Sequence, residues 1–444
     1  MVCANQHLNI SKAMNARIKP FCRPSGLWSR ISQAGVGSLL VCCLLITFGT
    51  VSAAEPADTN YDETLVPHYD LPDPLIGDHG QALDLNDWKS FRRNQVLNLF
   101  EQSVYGKTPD LQLPVEYEIV EKSASALGGK ATRIQVAAHF GKGDRTHRLD
   151  MLIYIPNGQP GSSPGFIGLN FNGNHTVHQD PGILINRKSG YERGSYSSRW
   201  QLELLMDNGY SLTTVHRDQI DPDNYQHNFS DGIHPLFYTD GQDRPGPDEW
   251  GAIGAWAWGL SRTLDYLETI DEVDAGRMAV IGHSRLGKTA LWAGAQDDRF
   301  ALVISNNSGC GGAALYRRCF GERIHHMIKP VGYWFCTNHR EYQKKEENLP
   351  VDQHMLMALI APRPLYIASA TEDLWADPKG EFLAAHHAGQ VYDLYGKSSL
   401  STSTMPQPDH PIHTTTAYHI RSGKHDVTEF DWKNYIKFAN QFLK

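Results

Sequence analysis

Arg277-Met-Ala-Val-Ile-Gly-His-Ser-Arg-Leu-Gly-Lys288 is the stretch that decides the architecture of this chain. The apolar run Met278 to Ile281 reads as a buried strand. It passes straight into Gly282-His283-Ser284, and a helix is expected to begin near Arg285. A serine held on so sharp a strand-to-helix turn lifts its hydroxyl above the sheet. The next backbone N–H, at the helix N-terminus, is then placed to stabilise an oxyanion. A side chain at Gly282 would crowd the turn. The second glycine falls at Gly287, so the spacing is GxSxxG rather than the usual GxSxG. A small-residue turn that merely contains serine would look similar, so the partners of Ser284 have to be found.

Working outward, the rhythm on both sides suits such an elbow. Trp88 to Gly106 reads as an amphipathic helix stopped by glycine. Val115–Val120, Thr132–His139 and Leu149–Ile155 alternate as three early, antiparallel strands. Then come apolar strands at Phe166–Phe171, Tyr210–Val215, Phe300–Ser305 and Pro364–Ala370, with helical stretches between them, including Trp256–Ile270. Val391–Tyr395 is expected as the last strand, and a helix over Thr428–Leu443 closes the chain. Hairpins followed by alternating buried strands and helices imply an α/β fold of three αβα layers around a mixed, mostly parallel sheet. No repeat or interdomain linker is visible, so residues 54–444 are expected to form one catalytic domain. Sites in such sheets lie at the carboxyl ends of the strands.

Residues 1–53 read as an export signal. Arg17, Lys19, Arg23 and Arg30 precede an apolar run from Val36 to Val51, and Val51-Ser52-Ala53 offers a small-residue cleavage site. The run is short for a membrane span. Losing this segment takes the formal charge from −8 to −13, a balance unsuited to nucleic acid or to an anionic membrane. A periplasmic or secreted protein is expected. Of the seven cysteines, Cys310, Cys319 and Cys336 follow the signal. They allow one disulfide and a free thiol, or three buried thiols. No Cys/His spacing suggests a metal site, and no cofactor is implied.

In this architecture the chain order is nucleophile, acid, base. His425, in Gly423-Lys-His425-Asp, lies just before the closing helix, where the base belongs; His410, His413 and His419 read as loop or packing residues. Past the strand at 364–370 stand Glu372, Asp373 and Asp377. Asp377 precedes Pro378 and could cap a helix. A short side chain at the strand end suits the buried orienting role, which favours Asp373. Arg285 and Lys288 are cations in the first turn of a helix, where the dipole disfavours them. Salt bridges would account for them, and so would recognition of an oxygen-rich group with help to a developing oxyanion. Trp375 could stack on a sugar face or simply be packed. His175 lies where this fold often draws a second oxyanion N–H, a role belonging to backbone.

Gly282-His-Ser284-Arg285-Leu-Gly-Lys288 resembles the signature of the glucuronoyl esterases, carbohydrate esterase family fifteen, and most closely their bacterial branch. The resemblance continues through Ser305-Asn-Asn307-Ser-Gly-Cys-Gly-Gly312, Trp334-Phe335, Leu349-Pro-Val-Asp-Gln-His354, Ala361-Pro-Arg-Pro364 and His425-Asp426. It covers the chain from about residue 85 onward. It implies an α/β-hydrolase fold without metal, acting on esters between 4-O-methyl-glucuronic acid groups of xylan and lignin alcohols. It further implies Ser284 as nucleophile, His425 as base, Arg285 in the oxyanion hole, Lys288 on sugar hydroxyls and Trp375 in the sugar pocket. The fungal acid, a Glu in Gln-Glu-Ser-Gly, is replaced by Asn307 in Asn306-Asn307-Ser308-Gly309; some bacterial members carry instead an Asp that matches Asp373. A fungal sugar-contacting Glu upstream of Trp334-Phe335 also lacks an acidic counterpart, with Val331-Gly-Tyr333 in its place. The other readings are an esterase acting on acetyl groups of xylan or on another carbohydrate ester, and a sugar-binding protein that has lost catalysis.

Overall fold

Two apolar clusters, one on each face of a single sheet, organise the molecule. The computed structural model describes residues 56–444, apart from 78, 144, 186–189, 225, 227 and 228. These belong to one unit, Glu55–Lys444. The expected export signal, residues 1–53, lies outside the described residues. Asp84 caps α1 (Leu85–Asp87), which continues through a π-helical turn into α2 (Arg93–Phe100). Three long strands follow, β1 (Val115–Ala126), β2 (Ala131–Lys142) and β3 (Arg145–Pro156), as an antiparallel meander.

From β4 (Ser163–Asn170) the chain alternates. It runs through α3 (Leu202–Asp207), β5 (Ser211–His216), α4 (Ala252–Leu267), β6 (Val273–His283), α5 (Arg285–Gln296) and β7 (Leu302–Asn306). It then adds α6 (Ile324–Val331), α7 (Gln353–Ala358), β8 (Leu365–Ala370), α8 (Pro378–Leu394), β9 (Thr416–Arg421) and α9 (Glu429–Ala439). The nine strands lie in the order β1-β2-β3-β5-β4-β6-β7-β8-β9. Pairing is antiparallel from β1 to β5 and parallel from β5 to β9.

Strand residues divide between the faces with period two. Met278 and Val280, Val303, and Leu365 and Ile367 join one cluster with α4, α5, α7 and α8. Ala279 and Ile281, Leu302 and Ile304, and Tyr366 and Ala368 join the other, against α3 and α9. This is the three-layer α/β-hydrolase architecture expected from the elbow.

One element differs from expectation. Val391–Tyr395 is not the last strand, because Val391 and Tyr392 are buried on the final turns of α8. The β-branched and aromatic residues misled, whereas Asp377-Pro378 was the deciding signal. Gly380 N donates to Asp377 Oδ1 (2.9 Å), and Pro378 opens the helix. The last strand is β9, and His419 is a fully buried strand residue donating to Asp431 (2.8 Å). Among the described residues the cysteines form no disulfide: Cys310, Cys319 and Cys336 are free thiols. Among the described residues no helix is long and apolar enough to cross a membrane.

The elbow tolerates little. A Cβ at Gly282 would stand 1.8 Å from Leu286 O, and one at Gly287 2.9 Å from Ser308 Cβ. Gly282→Ala is therefore expected to lower stability by more than about 2 kcal/mol, read by urea unfolding of the purified variant. A loss below half of that would mean the turn can open without cost.

Candidate active site

Ser284 is the residue between β6 and α5, with φ 58° and ψ −130°. This is a left-handed conformation for a non-glycine residue, which persists only where the surroundings enforce it. The enforcement is visible: Ser284 N donates to Asn306 O at the end of β7 (2.9 Å), and Gly287 N to Ser284 O (2.8 Å). Arg285 is the first residue of α5 and its N–H has no intrahelical acceptor, so it is available at the hydroxyl.

His425 stands beside the elbow, its ring centroid 4.5 Å from that of His283. Its Nδ1 donates to Asp373 Oδ2 (2.6 Å), which leaves Nε2 as the unprotonated nitrogen of the neutral ring. His283 donates Nδ1–H to Asn306 Oδ1 (2.6 Å). Burial, followed by the neighbouring His425, pushes the His283 ring well below the ordinary imidazole range, so it stays neutral. A second positive ring therefore does not oppose charging of His425.

The loop carrying His425 is gripped from behind. Arg421 at the end of β9 donates to Lys424 O (2.6 Å) and Asp426 O (2.7 Å), the carbonyls on either side. Asp431 in α9 accepts from Arg421 Nε (3.0 Å) and His419 Nε2 (2.8 Å).

Of the three carboxylates past β8, Asp373 is the one that meets His425. Glu372 is exposed, and Asp377 caps α8 and pairs with Arg318 (2.9 Å). Asp373 is 5% exposed, and its Oδ2 accepts a second hydrogen bond from Asn307 Nδ2 (2.7 Å). Asn307, itself at φ 47°, thus stands where the fungal pattern has its acid and touches Asp373. Behind it, Glu381 accepts from Ser308 N (2.7 Å) and Gly309 N (2.9 Å). Burial, with Asp373 nearby, pushes the Glu381 carboxyl up to about 8. Nothing local in the sequence marks Glu381, which sits in the middle of α8.

The two cations of the elbow are both paired. Arg285 donates to Asp223 Oδ2 (2.5 Å), with its guanidinium 4.5 Å from the Trp334 ring centre. Arg217 reaches the same oxygen (2.5 Å), while Trp334 Nε1 (2.8 Å) and the Tyr333 hydroxyl donate to Asp223 Oδ1. Burial raises the Asp223 carboxyl, but the Arg217 and Arg285 charges outweigh it and hold it below the ordinary range. Sequence reasoning missed Asp223 and Arg217, because they follow β5 in an irregular segment without a motif.

Lys288 is nearly buried. Its ammonium donates to Ser308 O (2.8 Å), Cys310 O and Glu322 Oε2 (3.0 Å). Glu322 N donates in turn to Trp375 O (2.8 Å). The side that the resemblance left without a carboxylate therefore carries one at Glu322, a short way upstream of Val331-Gly-Tyr333 and paired with Lys288. Trp375 is half-buried and stacks on His326, centroids 5.3 Å apart at 22°. His175 is buried and bonded to Tyr191 O (3.0 Å), so its side chain is occupied in holding that loop.

Among the described residues, Asp58, His325 and His326 gather enough ligand atoms to suggest a metal site. The hydrogen bonds say otherwise. Arg323 N donates to His326 Nδ1 (3.1 Å), so the proton of the neutral ring is on Nε2, which donates to Asp58 Oδ1 (3.2 Å) and has no lone pair to offer. Lys344 already supplies a positive charge to Asp58 (3.2 Å). The cluster is a hydrogen-bonded clamp between the N-terminal segment and the helix behind Trp375.

Residues 205–396 match a family model described as glucuronyl esterase, fungi. Carbohydrate esterase MZ0003, from an unknown prokaryotic organism, is 46% identical over 407 residues, covering 88% of this chain and 93% of that protein. A 4-O-methyl-glucuronoyl methylesterase of Cerrena unicolor is 30% identical over 350 residues, 74% of this chain and 65% of that protein. Among solved structures, a glucuronoyl esterase from Solibacter usitatus superposes with TM-score 0.82 at 45% identity, over 86% of this chain and all of the other.

Asp223→Ala would take the shared counter-charge from Arg217 and Arg285 and leave Arg217 with Asp218 alone, at an expected cost of about 3–5 kcal/mol. A folded carboxyl held low contributes stability that is complete above the unfolded value and lost as pH falls through the folded one. The gap between variant and wild type, read by urea unfolding, should be equal at pH 7 and pH 5 and should narrow only below about pH 4. A gap that narrows between 7 and 5 would show that another group carries the dependence.

Proposed function

The chain belongs to the glucuronoyl esterases of carbohydrate esterase family 15, carboxylic ester hydrolases, and we propose that it cleaves esters joining (4-O-methyl-)glucuronic acid of glucuronoxylan to lignin alcohols. The observation that carries this reading is the conjunction of a positive-φ serine at a helix N-terminus, a His425–Asp373 pair beside it, and an arginine on the same turn.

The chemistry follows in two steps. His425 removes the Ser284 proton as the hydroxyl oxygen attacks the uronoyl carbonyl. The tetrahedral oxyanion is met by Arg285 N–H and by the guanidinium that Asp223 aims. His425 then passes its proton to the departing alcohol, and water, activated by the same ring, hydrolyses the acyl-enzyme. Asp373 fixes the tautomer of His425 and balances its charge while protonated. The ester is neutral where the transition state is anionic, so a cation here favours the transition state over the ground state and raises turnover. Asp223 matters to this balance, because it is shared between two guanidiniums and aims that of Arg285.

On the acid side, Trp375 offers an aromatic face to the sugar, and the Lys288–Glu322 pair offers polar contacts to its hydroxyls. We place the enzyme outside the cytoplasm, released from its signal segment as a single catalytic domain.

Ser284→Ala should abolish hydrolysis of a benzyl glucuronate ester, and appreciable remaining turnover would remove Ser284 from the mechanism. Asp373→Asn, which presents the wrong hydrogen-bonding partner to Nδ1, is expected to lower kcat by about 10⁴. Asn307→Ala removes only one donor to that carboxylate and should cost about tenfold. The opposite ranking, in steady-state assays of both variants, would place the acid elsewhere.

A further inference from the structure

Glu381 is a fully buried carboxyl that the chemistry above does not use, yet it meets the loop that serves both sides of the elbow. We propose that Glu381 carries a proton and serves as a positioning residue. As a neutral acid it holds the tip of β7, and through it both Asn307 behind Asp373 and the carbonyls that take Lys288. The role rests on the esterase reading above, since it is defined by what that loop presents to His425 and to the sugar.

Residues 307–310 form the loop. Asn307 Nδ2 donates to Asp373 Oδ2 (2.7 Å), while Ser308 O (2.8 Å) and Cys310 O accept from the Lys288 ammonium. The chain leaves extended geometry here, with Asn307 at φ 47° and Gly309 at φ 59°. Past the end of β7, the N–H groups of Ser308 and Gly309 both turn to Glu381 Oε1 (2.7 and 2.9 Å). Ser308 Oγ accepts from Ser305 Oγ (2.8 Å) and Ala313 N (2.8 Å), so its own hydrogen also faces Oε1 (3.4 Å). With three donors aimed at it, Oε1 has no room for a proton.

The hydrogen count at the other oxygen decides the charge. Oε2 lies 2.6 Å from Ser369 Oγ on β8, and Ser369 is hydrogen-bonded in turn to Tyr418 on β9. The Tyr418 hydroxyl donates toward Pro378 O (3.0 Å) and Met405 Sδ (3.6 Å), atoms that only accept. Tyr418 must then accept from Ser369, which uses its one hydrogen there. Only a proton on Oε2 fills the remaining contact. An ionised Glu381 would leave two buried oxygens facing each other with no hydrogen between them, which is costly.

The surrounding charges agree. Asp373, partnered by His425, opposes a second anion from the β8 side. Lys288, across the loop on α5, is paired with Glu322 (3.0 Å), and Arg318 is held by Asp377 (2.9 Å) at the start of α8. Among the described residues no cation pairs with Glu381. Burial, with Asp373 nearby, raises its carboxyl to about 8. A neutral acid thus gives the loop its acceptor without adding a second negative charge behind His425, which would make the charged ring harder to deprotonate.

The test compares wild type with Glu381→Leu and Glu381→Gln on a benzyl glucuronate ester. Leu removes the acceptor, and kcat should fall about tenfold. Gln keeps Oε1 and presents a donor to Ser369 as the protonated acid does, so it should recover kcat to within about twofold of wild type. The acid limb of kcat/KM, which reports the charging of His425, should lie at the same pH in wild type and Gln. A limb displaced to lower pH in Gln would show that the wild-type carboxyl is ionised, and a Gln variant no faster than Leu would exclude a neutral acid; either would overturn the proposal. Should Leu fail to fold, urea unfolding of the other two still decides. A carboxyl raised on folding contributes stability that is complete below its unfolded value and lost as pH rises through the folded one. The folding equilibrium constant of wild type relative to Gln should therefore fall from about pH 5 to about pH 8, approaching tenfold per pH unit. A constant ratio across that window would mean an ionised Glu381, and the proposal would be wrong. Absence of hydrolysis by wild type would remove the esterase reading and the positioning role with it, whereas the unfolding series reads the proton in either case.

Discussion

The conformation of Ser284 is the constraint on which the rest of the site depends. A left-handed serine costs energy, and the fold meets that cost with contacts from three directions. Asn306 O takes the Ser284 N–H, the absence of side chains at Gly282 and Gly287 lets α5 close over the turn, and α5 donates back to the Ser284 carbonyl. Asn306 does more than hold the backbone. Its side chain accepts from His283 (2.6 Å) and donates to Tyr435 (2.8 Å), which ties the elbow to α9 on the far face of the sheet. Ser284 is thus fixed by layers on both sides of the sheet, not by its own loop.

His425 is fixed by a separate route that ends on the same helix. Asp431 of α9 neutralises Arg421, Arg421 holds the two carbonyls that bracket His425, and Thr428 N donates to Asp431 (2.7 Å) to start the helix. One carboxylate caps α9, balances a buried cation and positions the loop that carries His425. Burial raises Asp431, but His419 and Arg421 outweigh it and hold the carboxyl below its ordinary range. Its contribution is therefore present across the neutral and mildly acid range and disappears only in stronger acid.

Much of this was legible in the sequence, and the pattern of misses is physical. Glycines at 282 and 287, the apolar strands, and the order of Ser284, Asp373 and His425 are local or ordinal signals, so they survive reading in one dimension. Asp377-Pro378 was also visible as a helix start, yet the strand-like Val391–Tyr395 was given more weight; propensity lost to a capped helix whose face is buried. Asp223, Arg217, Glu322 and Glu381 were not legible. The three carboxylates act through partners far away in the chain, Arg217 acts through one of them, and an isolated carboxylate in a loop or mid-helix looks the same whether it is solvated or at the centre of a network. The dipole argument did flag Arg285 and Lys288 as needing partners, and both have carboxylates, but the sequence could not say which.

The shared oxygen of Asp373 has a consequence for how this family can change. Asn307 at the tip of β7 and Asp373 beyond β8 reach the same point behind His425 from neighbouring strands. The position of the negative charge is therefore set by the imidazole, and the strand that supplies it is interchangeable. A lineage can acquire the second carboxylate before losing the first, passing through a form in which two acids share one proton. Relocation of the carboxylate behind His425, which ordinarily requires two simultaneous changes, becomes here a walk of single steps in which His425 never moves.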